Sequence, residues 1–184
     1  MRARPPRSLK SRALQLLAQR DQSRLELRRK LLRYLQREAA DAARSASAAS
    51  ADPFSVSVET DAEPPATTVD ALLDWLAANG FLSDERFVES RVHAREERFG
   101  NLRIRSELAQ HGVAAPPEVA EALAASELGR AAAVRERRFG AVPASPADHA
   151  AQARFLAGRG FSPEVVQRLL RQLRRDRIDT PPTR

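Results

Sequence analysis

The amino-acid sequence predicts an all-α protein: an elongated, curved array of three tandem three-helix repeats, with a disordered insertion in the first. Three observations predict it. Ala, Leu and Arg are abundant in the 184 residues, while aromatics make up 5% and glycines number seven, a balance unfavourable to a β-rich fold. Apolar residues recur at three- and four-residue spacing, which places them on one side of a helix. REERFG at residues 95–100 also returns as RERRFG at 135–140, which points to an internal repeat. Each unit has too few apolar residues for comfortable stability alone, so stacking on neighbours should provide much of the buried area.

Residues 1–7 read as a flexible N-terminus, and the first repeat as 8–80. Its first helix, 8–20, aligns Leu9, Ala13, Leu14 and Leu17. Its second, 23–36, aligns Leu27, Leu31, Leu32 and Leu35, with Ser23 as N-cap and Glu26 three positions on, as in a capping box. Residues 37–67 are rich in Ala, Ser, Thr, Pro and acids without sustained periodicity and read as a flexible insertion. Order resumes at Thr68, where Val69, Leu72, Leu73 and Leu76 form a stripe ending at Asn79-Gly80.

The second repeat reads as 81–126. Ser83 caps its first helix, Asp84 and Glu85 favour the helix start electrostatically, and Val88, Val92 and Phe99 continue one face to Gly100. Asn101 is the expected N-cap of the next helix, which buries Ile104 and Leu108 and stops at Gly112. Pro116 and Pro117 open the third, with Val119, Ala122 and Leu123 on one side. The third repeat reads as 127–176: LGRAAAVRERRFG, SPADHAAQARFLAGRG, then SPEVVQRLLRQL with Val166, Leu169, Leu170 and Leu173 as its stripe. Residues 177–184 read as a flexible C-terminus. Nine helices follow, in which REERFG and RERRFG each end a repeat's first helix, with the Phe packing down and the Gly turning the chain.

Charge is unevenly distributed. Residues 1–36 carry a net +9, 37–67 a net −4, 68–126 a net −4 and 127–184 a net +6. Two basic ends around an acidic middle suggest a polyanion, or an acidic protein surface, as partner. The absence of cysteine removes disulfides, thiolate chemistry and most zinc sites. No apolar run is long enough to span a membrane, and the basic N-terminus has no apolar stretch behind it, so the expected compartment is the cytoplasm. His93, His111 and His149 fall in different helices without ligand-like spacing, Gly158-Arg159-Gly160 has no strand before it, and no nucleophile motif is present. Neither catalysis nor a cofactor nor a metal is expected.

The stretch GFLSDERFVESRVHAREERFGNLRIRSELAQHGV, residues 80–113, resembles the middle repeat of the RecX regulatory proteins. The likeness rests on Gly80, Phe81, Leu82, Ser83 and Asp84, on Arg86-Phe87, on a Gly, and on Arg103, Ile104, Arg105, Glu107 and Leu108 at the family's spacing. ALQLLAQRDQSRLELRRKL is similar to the family's opening repeat and ARFLAGRGFSPEVVQRLL to its third. The departure is the acidic insertion, placed where the second helix lacks a glycine turn: Leu31 and Leu35 hold the slots of Leu108 and Gly112. The resemblance implies a monomeric modulator of the RecA recombinase that binds the RecA–DNA filament, with DNA itself reached mainly through phosphate contacts.

The candidate contact residues are basic. Arg24, Arg28, Arg29, Lys30 and Arg33 crowd the second helix, and Arg103 and Arg105 match the family's motif. Arg135, Arg138, Arg154, Arg159, Arg168, Arg171 and Arg175 populate the third repeat, with Arg137 among them. Each is also what a solvated helix face looks like, and Glu107 is placed to pair with Arg103. Trp75, facing away from the Leu72 and Leu76 side, is either a packing residue or a contact. A helix-turn-helix DNA reader is the alternative function, although basic residues spread over two distant repeats fit a single recognition helix poorly; a helical scaffold without a nucleic-acid link ranks last.

Overall fold

Eight helices and no strand make up the described residues, 8–49 and 65–179 of a computed structural model. They are α1 (Leu9–Leu17), α2 (Arg24–Ala49), α3 (Pro65–Ala78), α4 (Asp84–Glu96), α5 (Asn101–Gln110), α6 (Pro117–Phe139), α7 (Pro146–Gly158) and α8 (Pro163–Asp179). The expected flexible stretch at 1–7, the centre of the expected insertion at 50–64, and residues 180–184 lie outside the described residues. Contacts divide the chain into two units, Met1–Asp84 and Glu85–Arg184.

In the first unit, Ala13, Leu27, Leu31, Val69, Leu73, Leu76 and Leu82 form the core, flanked by Leu9, Leu14, Leu17, Leu32, Leu35 and Leu72. The expected stripes are therefore the buried faces, and each fully buried leucine contributes about 2–3 kcal/mol of transfer free energy. The Ser23 hydroxyl accepts from the Glu26 amide at 3.1 Å, and Ser8 caps α1 by accepting from the Ser11 amide at 3.2 Å. Residues 37–49, expected to be flexible, instead continue α2 to Ala49, and α3 begins at Pro65 rather than Thr68. Arg37 to Ala49 has no apolar stripe, yet it is Ala-rich and lacks Gly and Pro, so propensity carries the helix onward.

Ion pairs fasten α2 to its surroundings. Arg28 grips Asp70 of α3 with two bonds of 2.6 and 2.9 Å, and this pairing holds the Asp70 carboxyl below its usual range. Burial pushes the Glu26 carboxyl up, but hydrogen bonds from Arg20 and Lys30 outweigh it and leave the group below its ordinary value. Both folded pKa values thus lie below their unfolded ones. The associated stability is complete above the unfolded values and is lost as pH falls through the folded ones. Trp75, the single tryptophan and part of this unit, should report unfolding that sets in below about pH 4. In Asp70→Asn, fluorescence titration should show lower neutral-pH stability and a shallower acid dependence; an unaltered profile would contradict the role of the pair.

The second unit holds two cores on one long helix. Phe87, Val88, Val92, Ile104, Leu108 and Leu123 form the first; Ala131, Val134, Leu156, Phe161, Val166, Leu169 and Leu170 form the second. Both draw on α6, which runs unbroken from Pro117 to Phe139. The two helices expected on either side of residue 126 are therefore one, and the count is eight rather than nine among the described residues. Gly129 lies within it in open space, a tolerable weakness of about 1 kcal/mol when cores on either side hold the helix. At the other end α8 continues to Asp179, so residues 177–179 are helical.

The ends of α5 and α7 share one turn. Val113 N donates to Leu108 O at 3.1 Å and Gly112 N to Ala109 O at 3.0 Å; Phe161 N donates to Leu156 O at 3.2 Å and Gly160 N to Ala157 O at 2.9 Å. This is the paired 6→1 and 5→2 closure of a helix, and it requires the positive φ of Gly112 (74°) and Gly160 (81°). Gly100 differs from its expected turning role: its φ is −79°, and it is glycine because a Cβ would lie 2.2 Å from Phe161 N and 2.3 Å from Gly160 O. Two backbone bonds of 3.0 Å join this contact, from Gly100 N to Arg159 O and from Leu102 N to Gly160 O.

A buried polar junction completes the unit. Asn101, expected to cap α5, does not: Gly100 is the N-cap, and Asn101 Nδ2 instead donates to Leu123 O at 3.0 Å. The Glu127 carboxylate accepts from the Asn101 amide at 2.9 Å and from the Ser162 amide and hydroxyl, each at 3.1 Å. One buried anion thus meets the starts of α5 and α8, where helix dipoles favour negative charge. Arg130 donates to the carbonyls of Glu96 and Phe99 at 3.0 and 2.8 Å and also bonds Asn101 Oδ1. Burial depresses its pKa, while Glu127 and Glu96 oppose that shift.

Candidate functional site

Arg130 fixes the chain just after α4, and so fixes Phe99, the aromatic residue of REERFG. Around that half-buried ring stand Arg103 at 4.4 Å, Arg159 at 5.7 Å and Arg95 at 5.8 Å from guanidinium carbon to ring centroid. Arg159 also lies 5.1 Å from the Phe155 ring, Phe155 meets Phe139 edge-on at 5.3 Å, and Arg138 lies 5.9 Å from Phe139. The aromatic residues of both copies of the repeated hexapeptide are therefore flanked by guanidinium groups. Such stacking is worth about 0.5–1 kcal/mol per exposed pair and orders the cations in advance of any ligand.

Carboxylates are scarce here. Glu107 is shared by Arg95 at 3.0 Å and by Arg91 and Arg103, each at 3.6 Å. Arg98, Arg137, Arg138 and Arg159, with Glu97 as the single carboxylate of the lining, border a groove of about 250 Å³ that also includes Val134 and Phe155. Arg137 donates to the Glu97 carbonyl at 2.8 Å, and among the described residues none of these four has a carboxylate partner. The arrangement offers phosphate or carboxylate groups a set of pre-oriented, incompletely neutralised cations.

The other candidates are divided. In α2, Arg24 pairs with Asp74 at 2.7 Å and Arg28 with Asp70, both on α3, while Lys30 pairs with Glu26 one turn back in the same helix at 2.8 Å; Arg29 and Arg33 are exposed. Arg103 joins the cluster, whereas Arg105 is exposed with Nε donating to the Asn101 carbonyl at 3.4 Å. Arg135 is a correction: it is 2% exposed, donating to Gln152 Oε1 and Glu136 Oε2, each at 2.9 Å, and to the Ala141 carbonyl, so it supports the core rather than a surface. Arg154, Arg168, Arg171 and Arg175 are exposed on α7 and α8. Arg138 and Arg159 belong to the cluster.

Arg91, Arg95 and Arg98 were not legible as candidates, although the repeated Arg-Phe-Gly of 98–100 and 138–140 is the signal that marks this region. Trp75 is 37% exposed, stacked on Phe81 at 5.8 Å with Lys10 Nζ 3.6 Å from its ring. His93 is exposed near Glu96, and His111 rests against Phe87 at 5.1 Å. Among the described residues no cluster of His, Asp or Glu is placed to hold a metal, and no helix is long and apolar enough to cross a membrane.

Tandem three-helix domains that share α6 and present a cluster of arginines define a class of all-α repeat protein. Comparison with known proteins names it more closely. The family model for the second three-helix domain of RecX matches residues 83–125, and that for the third matches 125–170, the two meeting inside α6. Among curated relatives, the regulatory protein RecX of Ralstonia nicotianae is 44% identical across 91% of this chain and 89% of its own. That of Herbaspirillum seropedicae is 43% identical across 89% and 90%, and that of Pseudomonas entomophila 35% identical across 90% and 91%. The chain belongs to the RecX family of regulatory proteins.

Proposed function

We propose that the chain binds the RecA–DNA filament in the cytoplasm and restrains its growth and its recombinase and ATPase activity, acting by docking and making no bond. The observation that carries this reading is the arginine and phenylalanine cluster around Phe99 and Phe155, on the residues matched by the family's second and third domains. Guanidiniums short of carboxylates suit DNA phosphates or acidic patches of the recombinase. The exposed Arg168, Arg171 and Arg175 of α8 add longer-range attraction.

The test is to titrate the protein into RecA ATPase and strand-exchange reactions and to measure filament binding over a range of salt. Wild-type protein should inhibit at or below one molecule per recombinase subunit. Replacing Arg137, Arg138 and Arg159 together by Ala should weaken binding about tenfold or more and reduce the salt slope by about 2, with helicity unchanged. An inert wild-type protein would overturn the reading; a triple variant that binds normally would remove this face from it.

A further inference from the structure

A second groove in the Glu85–Arg184 unit has the opposite chemistry. Val92 of α4 and Val119, Ala122 and Leu123 of α6 wall a shallow depression of about 530 Å³, edged by Glu89, Glu96 and Glu118. Glu96 faces His93 at 3.7 Å, and no cation among the described residues pairs with Glu89 or Glu118. We propose that this groove docks an amphipathic helix of a protein partner, one with a Leu, Val or Met stripe flanked by Lys and Arg.

Charge decides between occupants. Three carboxylates along the edge repel phosphate, so nucleic acid is disfavoured here, while the same carboxylates attract lysine and arginine and fix the register of an incoming helix. The apolar walls suit a side-chain stripe at i, i+3, i+4 and i+7, the pattern a helix presents to a groove. Cationic and anionic contacts are then separated on one rigid unit: the arginine cluster for acidic groups, and the α4 and α6 groove for a basic helix. The inference rests on the filament reading, with the recombinase polypeptide supplying the helix.

Two full-length variants test it. Ala122→Arg places a bulky cation in the groove, and Glu89→Lys with Glu118→Lys reverses its edge; all three positions are exposed and helical, so circular dichroism should match wild type. Affinity for RecA filaments on single-stranded DNA should fall about tenfold or more in both variants, while affinity for the same DNA alone stays level or rises. Wild-type filament affinity in both would overturn the inference and leave the filament reading standing. Wild-type protein that fails to bind filaments would overturn both. A concentration-dependent dimer abolished by Ala122→Arg would assign the groove to a second copy of the chain and overturn the proposal.

Discussion

Glu127→Ala should lower the stability of the second unit by about 3–5 kcal/mol, because the substitution leaves buried partners unmatched instead of merely deleting a contact. The carboxylate is 4% exposed and accepts from the Asn101 amide and from the Ser162 amide and hydroxyl. Without it, two helix starts lose their acceptor and the part-buried Arg130 loses the larger of two favourable charge interactions. For a unit of this size the thermal midpoint should fall by about 15 °C or more. Glu127→Gln keeps one carbonyl oxygen and should cost about 1–2 kcal/mol. Urea and thermal unfolding followed by circular dichroism provide the check. A midpoint within two or three degrees of wild type for the alanine variant would mean the junction contributes little.

The second large effect separates two identical letters. Gly100 and Gly140 end the two copies of the hexapeptide, and Gly100→Ala should cost more than about 3 kcal/mol, against about 1–3 kcal/mol for Gly140→Ala. At Gly100 the new Cβ would lie 2.2 Å from Phe161 N, so backbone must move and the bonds to Arg159 O and Gly160 O are broken or stretched. At Gly140 the added Cβ meets open space, and the cost is the strain of a γ-turn with φ 64° and ψ −65°, closed by Ala141 N donating to Phe139 O at 2.7 Å. The Gly100 variant should also bind filaments less tightly, since Arg159 would shift relative to Phe99. Parallel denaturation curves decide the matter, and equal losses at the two positions would refute the close-approach explanation.

Local signals in the sequence were legible and long-range ones were not. Ser23 as a cap, the leucine stripes, and the turns at Gly112 and Gly160 all depend on neighbours within one or two helical turns. The run of α2 to Ala49 was missed because periodicity was weighed above propensity. The continuity of α6 was missed because Gly129 reads as punctuation until cores on both sides of it are known. Arginines were the hardest case. Arg28 finds its carboxylate 42 residues away and Arg135 its amide partner 17 away, and nothing beside them distinguishes these from the solvent-facing Arg29 and Arg168. The repeated Arg-Phe-Gly pointed to the cluster, but stacked geometry was needed to connect Phe99 with Arg159.

The unbroken α6 limits how these modules can change. Leu123 and Val134 serve different cores yet sit on one rigid spiral, so a single residue inserted between them would turn one core by about 100° against the other. Length there can vary tolerably only by steps near whole turns, and cutting the gene at the domain boundary would leave two halves with severed ends. The pair is the smallest piece that can be moved intact.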